Sequence, residues 1–427
     1  MTLQVAVGSG LIETTDSGDK DFNLSNFGGE TPKVVIMFPS QQDADGRFNH
    51  ARWGMGVLTN TLDYLMAVRM QNNVNPSNTL RTQSGVRCLG ACDTTSPAIA
   101  WNARGKTTDP LTADKFTLNV VQSPGVDRRF GYLALGGTDL EVEVGSFALE
   151  DDAQQTITGL SFEPEALILM TVREPDDIEG VIEHENDARL SIGFSDGSTE
   201  FNCCAISDDN DNPIENQKTT RNDTILSGLS FGGGLNDGAS LNSFTSDGFI
   251  LDLSPTWPLG AKVVYVALRG VQFKTGSTTH QTSTGNFAIT GVGFQGKALM
   301  MLQGGNQTAF NNVSVDAVMY GGFARSATER WTSGFTDNEE ALDDNSLTQT
   351  VNDDDKCLVR YAANGTSVTA EIDFVSWDSD GFTLDQVDAN NNTHVIAYLV
   401  IGALPVVDVD EVNLRGNLKT NLLGGFE

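Results

Sequence analysis

The 427-residue sequence predicts an all-β protein made of three tandem antiparallel β-sandwich domains of jelly-roll-like type. Three observations carry that prediction: an internal repeat of about 133 to 137 residues, apolar or alternating runs of strand length, and Gly-, Asn- and Asp-rich turns between the runs.

The repeat rests first on two rear anchors. Tyr132-Leu133-Ala134-Leu135-Gly136-Gly137 returns as Tyr265-Val266-Ala267-Leu268-Arg269-Gly270 and as Tyr398-Leu399-Val400-Ile401-Gly402-Ala403, the tyrosines standing 133 positions apart. Upstream, Asp114-Lys115-Phe116-Thr117-Leu118 returns in the same register as Asp247-Gly248-Phe249-Ile250-Leu251 and Asp380-Gly381-Phe382-Thr383-Leu384. Toward the front lie the apolar runs ending at Met37, Met170 and Leu302, then Arg52 with Gly56, Arg189 with Gly193 and Arg330 with Gly334. Trp53 and Trp331, beside two of these arginines, read as equivalent core positions. Leu3 to Ser9 recurs as Leu140 to Ser146, and Asn75-Pro76 as Asn212-Pro213. Insertions fall between the anchors, as loops do over a shared scaffold.

These registers divide the chain into repeats at 1–138, 139–271 and 272–404, with a tail at 405–427. The alternating Val406-Val407-Asp408-Val409-Asp410 suits the tail to strand exchange or docking on a sheet edge. Within a repeat, Val142-Glu143-Val144 and Lys262 to Leu268 are strand runs, while Ser195-Asp196-Gly197-Ser198, Ser246-Asp247-Gly248 and Asn364-Gly365 are turns. Leu62 to Met70, the best helical candidate, lines up with the strand-like Glu200 to Ile206 and is read as strand.

With 26 basic and 57 acidic residues the formal charge is −31. Such a surface repels phosphate backbones and anionic lipid, which argues against a nucleic-acid partner. Met1 to Val5 lacks the basic and apolar regions of a secretory signal, and no stretch approaches the roughly 20 apolar residues of a membrane span, so no membrane insertion is expected. Cys88, Cys92, Cys203, Cys204 and Cys357 are too few and too scattered for a disulfide framework, and are expected as free thiols in strands.

No motif reads as an active site. Gly291-Val292-Gly293-Phe294-Gln295-Gly296-Lys297 satisfies GxGxxG, but Ala298 to Leu302 behind it is a strand run, whereas a phosphate loop needs a helix N-terminus there. It is read as a structural turn. His50, His184, His280 and His394 neither recur nor stand at ligand spacing. Arg52, Arg189 and Arg330, with Asp114, Asp247 and Asp380, are the only charged residues read as holding register in all three copies. They are expected to form ion pairs that fix strand register, since breaking a buried pair strands a charge.

Two acidic clusters, Asp208, Asp209 and Asp211, and Asp353, Asp354 and Asp355, read as solvated loop tips. They lack the EF-hand glycine and distal glutamate, and calcium is the one cofactor they would take. Trp257, behind Ser254-Pro255-Thr256, is the expected surface-binding aromatic.

The FxPxALxxM-like, RxxxG, DxFxL and YxALxG anchors, on tandem acidic β-sandwiches, resemble virion structural proteins of tailed bacteriophages and archaeal viruses. The resemblance implies a non-enzymatic protein of the virion, on the capsid surface as a decoration or turret, or in the tail, baseplate or fibre. It further implies a symmetric homo-oligomer, a trimer or pentamer, that touches other virion proteins and a host surface glycan. Two other classes stay open. A carbohydrate-binding adhesin would show an exposed aromatic beside an acidic metal-holding loop, and a glycan depolymerase would show a deep groove with two carboxylates roughly 5 to 9.5 Å apart.

Overall fold

A computed structural model describes residues 2–405, apart from 41, 75, 93–98, 176–182, 210–214, 232, 255–256, 258–259, 306, 339–346 and 363–366. Every regular element among the described residues is a β-strand, and no helix there is long and apolar enough to cross a membrane. The tail motif Val406 to Asp410, Asp211, Asn75, Asn212-Pro213 and the Asn364-Gly365 turn lie outside the described residues.

The first copy forms β1 (Gln4–Ile12), β2 (Gly18–Asn23), β3 (Pro32–Pro39), β4 (Gly46–Asn49), β5 (Ala51–Leu58), β6 (Asp63–Met70), β7 (Thr79–Ser84), β8 (Leu89–Cys92), β9 (Ile99–Gly105), β10 (Leu111–Thr112), β11 (Lys115–Gln122) and β12 (Arg128–Gly136). The second forms β13 (Glu141–Ala148), β14 (Gln154–Thr158), β15 (Ala166–Thr171), β16 (Glu183–Asn186), β17 (Ala188–Ser195), β18 (Glu200–Ser207), β19 (Asn216–Arg221), β20 (Leu226–Ser230), β21 (Gly234–Thr245), β22 (Gly248–Leu253) and β23 (Lys262–Arg269). The third forms β24 (Gln272–Thr279), β25 (Gly285–Thr290), β26 (Ala298–Gln303), β27 (Val313–Val315), β28 (Ala317–Ser326), β29 (Glu329–Asn338), β30 (Leu347–Asp353), β31 (Leu358–Tyr361), β32 (Val368–Asp378), β33 (Gly381–Asp388) and β34 (Val395–Gly402).

Each copy is an antiparallel sandwich of a large sheet and a small one, as the alternating and apolar runs predict. The large sheets run β1-β12-β3-β5-β6-β7-β16, β13-β23-β15-β17-β18-β19-β27 and β24-β34-β26-β28-β29-β30-β4. The last strand of each belongs to another copy. The second copy lends β16 to the first, the third lends β27 to the second, and the first lends β4 to the third. The three copies therefore close into a ring with pseudo-threefold symmetry, a feature that tandem order in the sequence did not announce.

Each lent strand turns a corner into the next strand of its own copy through one residue: His50, Asp187 or Asp316, with φ of 71°, 66° and 70°. Left-handed backbone at a residue other than glycine costs on the order of 1 to 2 kcal/mol and persists only where its surroundings fix it. Here the receiving strand supplies the fixing group. Arg81 on β7 donates to the carbonyls of Asn186 and Asp187, and Lys218 on β19 to those of Val315 and Asp316. Thr350 on β30 donates to that of His50 at 2.9 Å.

The corners wrap one shared core. Val34, Ile36 and Phe38 of β3, Ala166, Ile168 and Met170 of β15, and Ala298, Met300 and Leu302 of β26 all face it. The alternate residues, Val35 and Met37, Leu167 and Leu169, Leu299 and Met301, face the small sheet of their own copy. Burial on both faces is why these strands read as unbroken apolar runs. Rings cross between copies in the centre. Phe38 stacks on Phe323 at 4.4 Å, Trp53 lies 6.1 Å from Phe335, and the Trp53 indole N–H donates to Ser333 at 2.9 Å.

The two rear anchors of the repeat meet inside each sandwich. Phe116, Phe249 and Phe382 of the small sheets pack edge-on against Tyr132, Tyr265 and Tyr398 of the large ones, at 5.1, 5.7 and 5.3 Å. Gly8, Gly145 and Gly276 stand opposite those tyrosines in the neighbouring strand, and a Cβ at Gly8 would come within 2.6 Å of the Tyr132 hydroxyl.

Lys218 is fully buried, its ammonium 3.6 Å from the Asp316 carboxylate as well as bonded to the corner carbonyls. Removing it leaves those acceptors without their donor. Lys218→Ala is expected to lower stability to urea by about 2 to 4 kcal/mol. Lys20→Ala, which breaks a partly exposed pair with Asp16, is expected to change it by less than about 1 kcal/mol.

Candidate functional site

The recurring charges do not pair as the sequence predicted. Arg189 bonds Asp187 at 3.0 Å, and Arg330 contacts Asp373 at 2.5 Å, while Arg52 sits in the large sheet across β5–β6 from Arg69. Asp114, Asp247 and Asp380 stand instead in the turns β10–β11, β21–β22 and β32–β33 of the small sheets. Their carbonyls accept the N–H groups of Leu24, Leu160 and Val292, at 2.7, 3.0 and 3.4 Å. The Asp380 carboxylate also accepts from Gly291 at 3.2 Å and Gly293 at 2.6 Å, so the N–H donors of the GxGxxG segment hold a carboxylate of the chain itself. Behind that segment comes β26, as expected of a structural turn.

The third RxxxG match is a misregistration. Gly56, Gly193 and Gly322 are the structural equivalents, opposite Met37, Leu169 and Met301, and a Cβ on any of them would strike the carbonyl of Cys88, Ile225 or Cys357. Arg330 and Gly334 lie one strand over, in β29, so Val318 is the counterpart of Arg52 and Arg189. Trp53 and Trp331 are both fully buried but occupy strands that are not equivalent, β5 and β29. A motif that fixes two residues in five offers too little to hold register across an insertion.

Trp257 is not a surface aromatic. It is 5% exposed, packed in the outer core of the second copy with the Arg173 guanidinium 5.5 Å above its ring. The apolar ring closes that end of the sandwich. Trp377 is the tryptophan that stays part-exposed, and it lines a cleft of about 590 Å³ between the third and first copies, with Gln4, Lys297, Arg325 and Glu329. Its indole N–H is committed to the Arg325 carbonyl at 2.7 Å. The matching cleft between the first and second copies, about 800 Å³, is lined by Lys33, Asn60, Thr61 and Glu143 among others. At the third junction the β17–β18 turn docks on β24, with Asp196 accepting from Thr275 at 3.1 Å and from Lys274 at 3.3 Å.

The acidic clusters take different parts. Asp208 and Asp209 tie the second copy to the first: Ser77 donates to the Asp208 carbonyl at 2.8 Å, and the Thr79 N–H to the Asp209 carboxylate at 2.7 Å. Asp355 turns to Lys356. Asp353 and Asp354 instead meet Asp45, from the segment leading into β4, with one carboxylate oxygen of each within 4.8 Å of the others. Among the described residues these three are the ones that could hold a divalent cation, and sequence reasoning missed Asp45 because only the exchanged strand brings it there. Arg129 already bridges Asp45 and Asp354, at 2.9 and 3.1 Å. Of the expected free thiols, Cys88, Cys203, Cys204 and Cys357 are buried and unpaired, while the side chains of Cys92 and His184 lie outside the described residues.

Burial pushes the Asp353 carboxyl up to about 7, with the neighbouring Asp355 carboxylate adding to it. A carboxyl whose folded-state value lies above its unfolded value of about 4 lends stability that is complete below that pH and is lost as pH rises through about 7. Asp353→Asn is therefore expected to raise the thermal midpoint at pH 8, by about 2 °C, and to leave it unchanged at pH 4, as followed by differential scanning fluorimetry.

No family model matches the chain, and no curated protein does. Among solved structures, the mouse laminin alpha1 chain, domains LG4-5, is 10% identical over 93% of this chain and 83% of that one, with a TM-score of 0.09, and carries no argument about fold or function.

Proposed function

We propose that this chain is a non-enzymatic structural protein of a virion, placed on the capsid surface or in the tail apparatus, where it acts as one rigid block. The observation that carries the reading is the ring itself: three copies in one polypeptide, each completing the sheet of the copy before it, with the first completing the third. Such a block presents three-fold repeated outer sheets from a single gene product and suits a site on a symmetric particle. The net charge of −31 favours solubility at the high local concentration of a particle surface.

The charges that repeat or cluster are engaged in holding corners, turns and junctions, which fits a load-carrying role better than catalysis. Two carboxylates at the junction clefts are committed in the same way: Glu329 to Arg325 at 2.6 Å, and Glu143 to the Ser161 N–H at 2.8 Å. Assembly into a symmetric multimer and contact with other virion proteins belong to the same proposal.

Quantitative mass spectrometry of density-purified particles from the host culture tests it. The chain is expected in the particle fraction in many copies per particle, with no hydrolysis of host polysaccharide by the purified protein. Recovery only in the cell lysate, or release of oligosaccharides by the purified chain, would contradict the proposal.

A further inference from the structure

The third copy contains a cavity of about 520 Å³ that the ring does not need. Its floor is Arg360 on β31, with His394 and Asn390, 7%, 3% and 6% exposed; its rim carries Thr308, Asp388 and Asn392. Among the described residues the Arg360 guanidinium donates one bond, to Thr369 at 2.8 Å, and its Nε has no partner. Among the described residues no carboxylate forms an ion pair with it. A buried guanidinium without a counter-charge is costly, so the cavity floor favours an external anion.

The other two copies sharpen the point, because the same sheet position is filled differently in each. Arg360 faces Ala370 across β31–β32, where Gly228 faces Asp237 and Ala91 faces Trp101. In the second copy a buried arginine, Arg173, lies over Gly228 and pairs with Asp237. In the first copy the residue at the carboxylate's register is the buried Trp101. Only the third copy combines the arginine with a small apolar residue where the carboxylate would be.

Arg360 supplies the one positive charge of the cavity floor. Burial, followed by the charges of Arg360, His280 and Lys218, holds the His394 imidazole down at about 3, so its ring is neutral. Its Nδ1 accepts from the Asn390 amide at 2.9 Å, which leaves the proton on Nε2 as a donor. The rim is different in kind. Asp388 would repel an inorganic dianion but accepts hydroxyl donors, and Asn392 and Thr308 bond hydroxyls of either sense.

We propose that this cavity binds an acidic sugar, with the carboxylate seated on Arg360 and the hydroxyls met by the rim. The volume lies in the range of small-molecule sites. The proposal stands whether or not the chain belongs to a virion.

Isothermal titration of the full-length chain with sodium galacturonate and with N-acetylneuraminate tests it, with methyl glucoside and inorganic phosphate as controls. Binding of at least one acidic sugar is expected, at least ten-fold tighter than either control. Arg360→Met should lose at least ten-fold in affinity with no fall in the thermal midpoint, since it removes an uncompensated charge. Ala370→Asp should also abolish binding by installing the second copy's carboxylate. Failure of both acidic sugars to bind would overturn the proposal, as would equal binding by phosphate, or affinity unchanged in either variant when its thermal midpoint shows it folded.

Discussion

Each copy of the repeat is incomplete at one edge and on one face. β7, β19 and β30 would each present unpaired backbone groups, and the inner faces of three large sheets would present Val, Ile, Met and Phe side chains to water. Both defects are removed by one constraint: a short strand must leave its own sandwich, pair with the preceding copy around the ring, and return through a left-handed residue. Closed pairing abolishes edges that would otherwise template aggregation. The corner residues His50, Asp187 and Asp316 accept backbone strain because the alternative is a solvent-exposed core.

Given that closure, the copies are free to diverge wherever it is not at stake. The Tyr–Phe contact and the glycine under the tyrosine are kept in all three, since they set the spacing of the two sheets in each sandwich. The corner fastener changes from Arg81 to Lys218 to Thr350 while still donating to the same backbone carbonyls. Deeper in the small-sheet layer the chemistry separates further, into Trp101, the Arg173–Asp237 pair and the unpaired Arg360. Divergence there leaves the ring intact and is where a binding role can be acquired by one copy alone.

Much of this was legible in the sequence. The 133-residue interval gave the number of sandwiches, and the reading of Leu62 to Met70 as strand held because its equivalent, Glu200 to Ile206, could not be helical. What escaped was decided by contacts between copies. A four-residue strand such as β4 has no periodicity of its own, and nothing local says that Gly46–Asn49 pairs with Gln349–Asn352. The RxxxG match slid to Arg330 because neighbouring strands of a hairpin carry similar residues. Trp257 looked exposed for want of any sign that it caps a core, and Arg360 could be singled out only once Ala370 and Asp237 were known to share a register.

The claim that the three copies share one core is tested most directly by cutting the chain between them. Protease sites inserted after Thr138 and after Gly270, followed by cleavage and native mass spectrometry, would report whether the fragments stay together. The ring predicts a single particle retaining the 45.8 kDa chain mass until denaturant is added. Three separately folded fragments drifting apart in native buffer would contradict it.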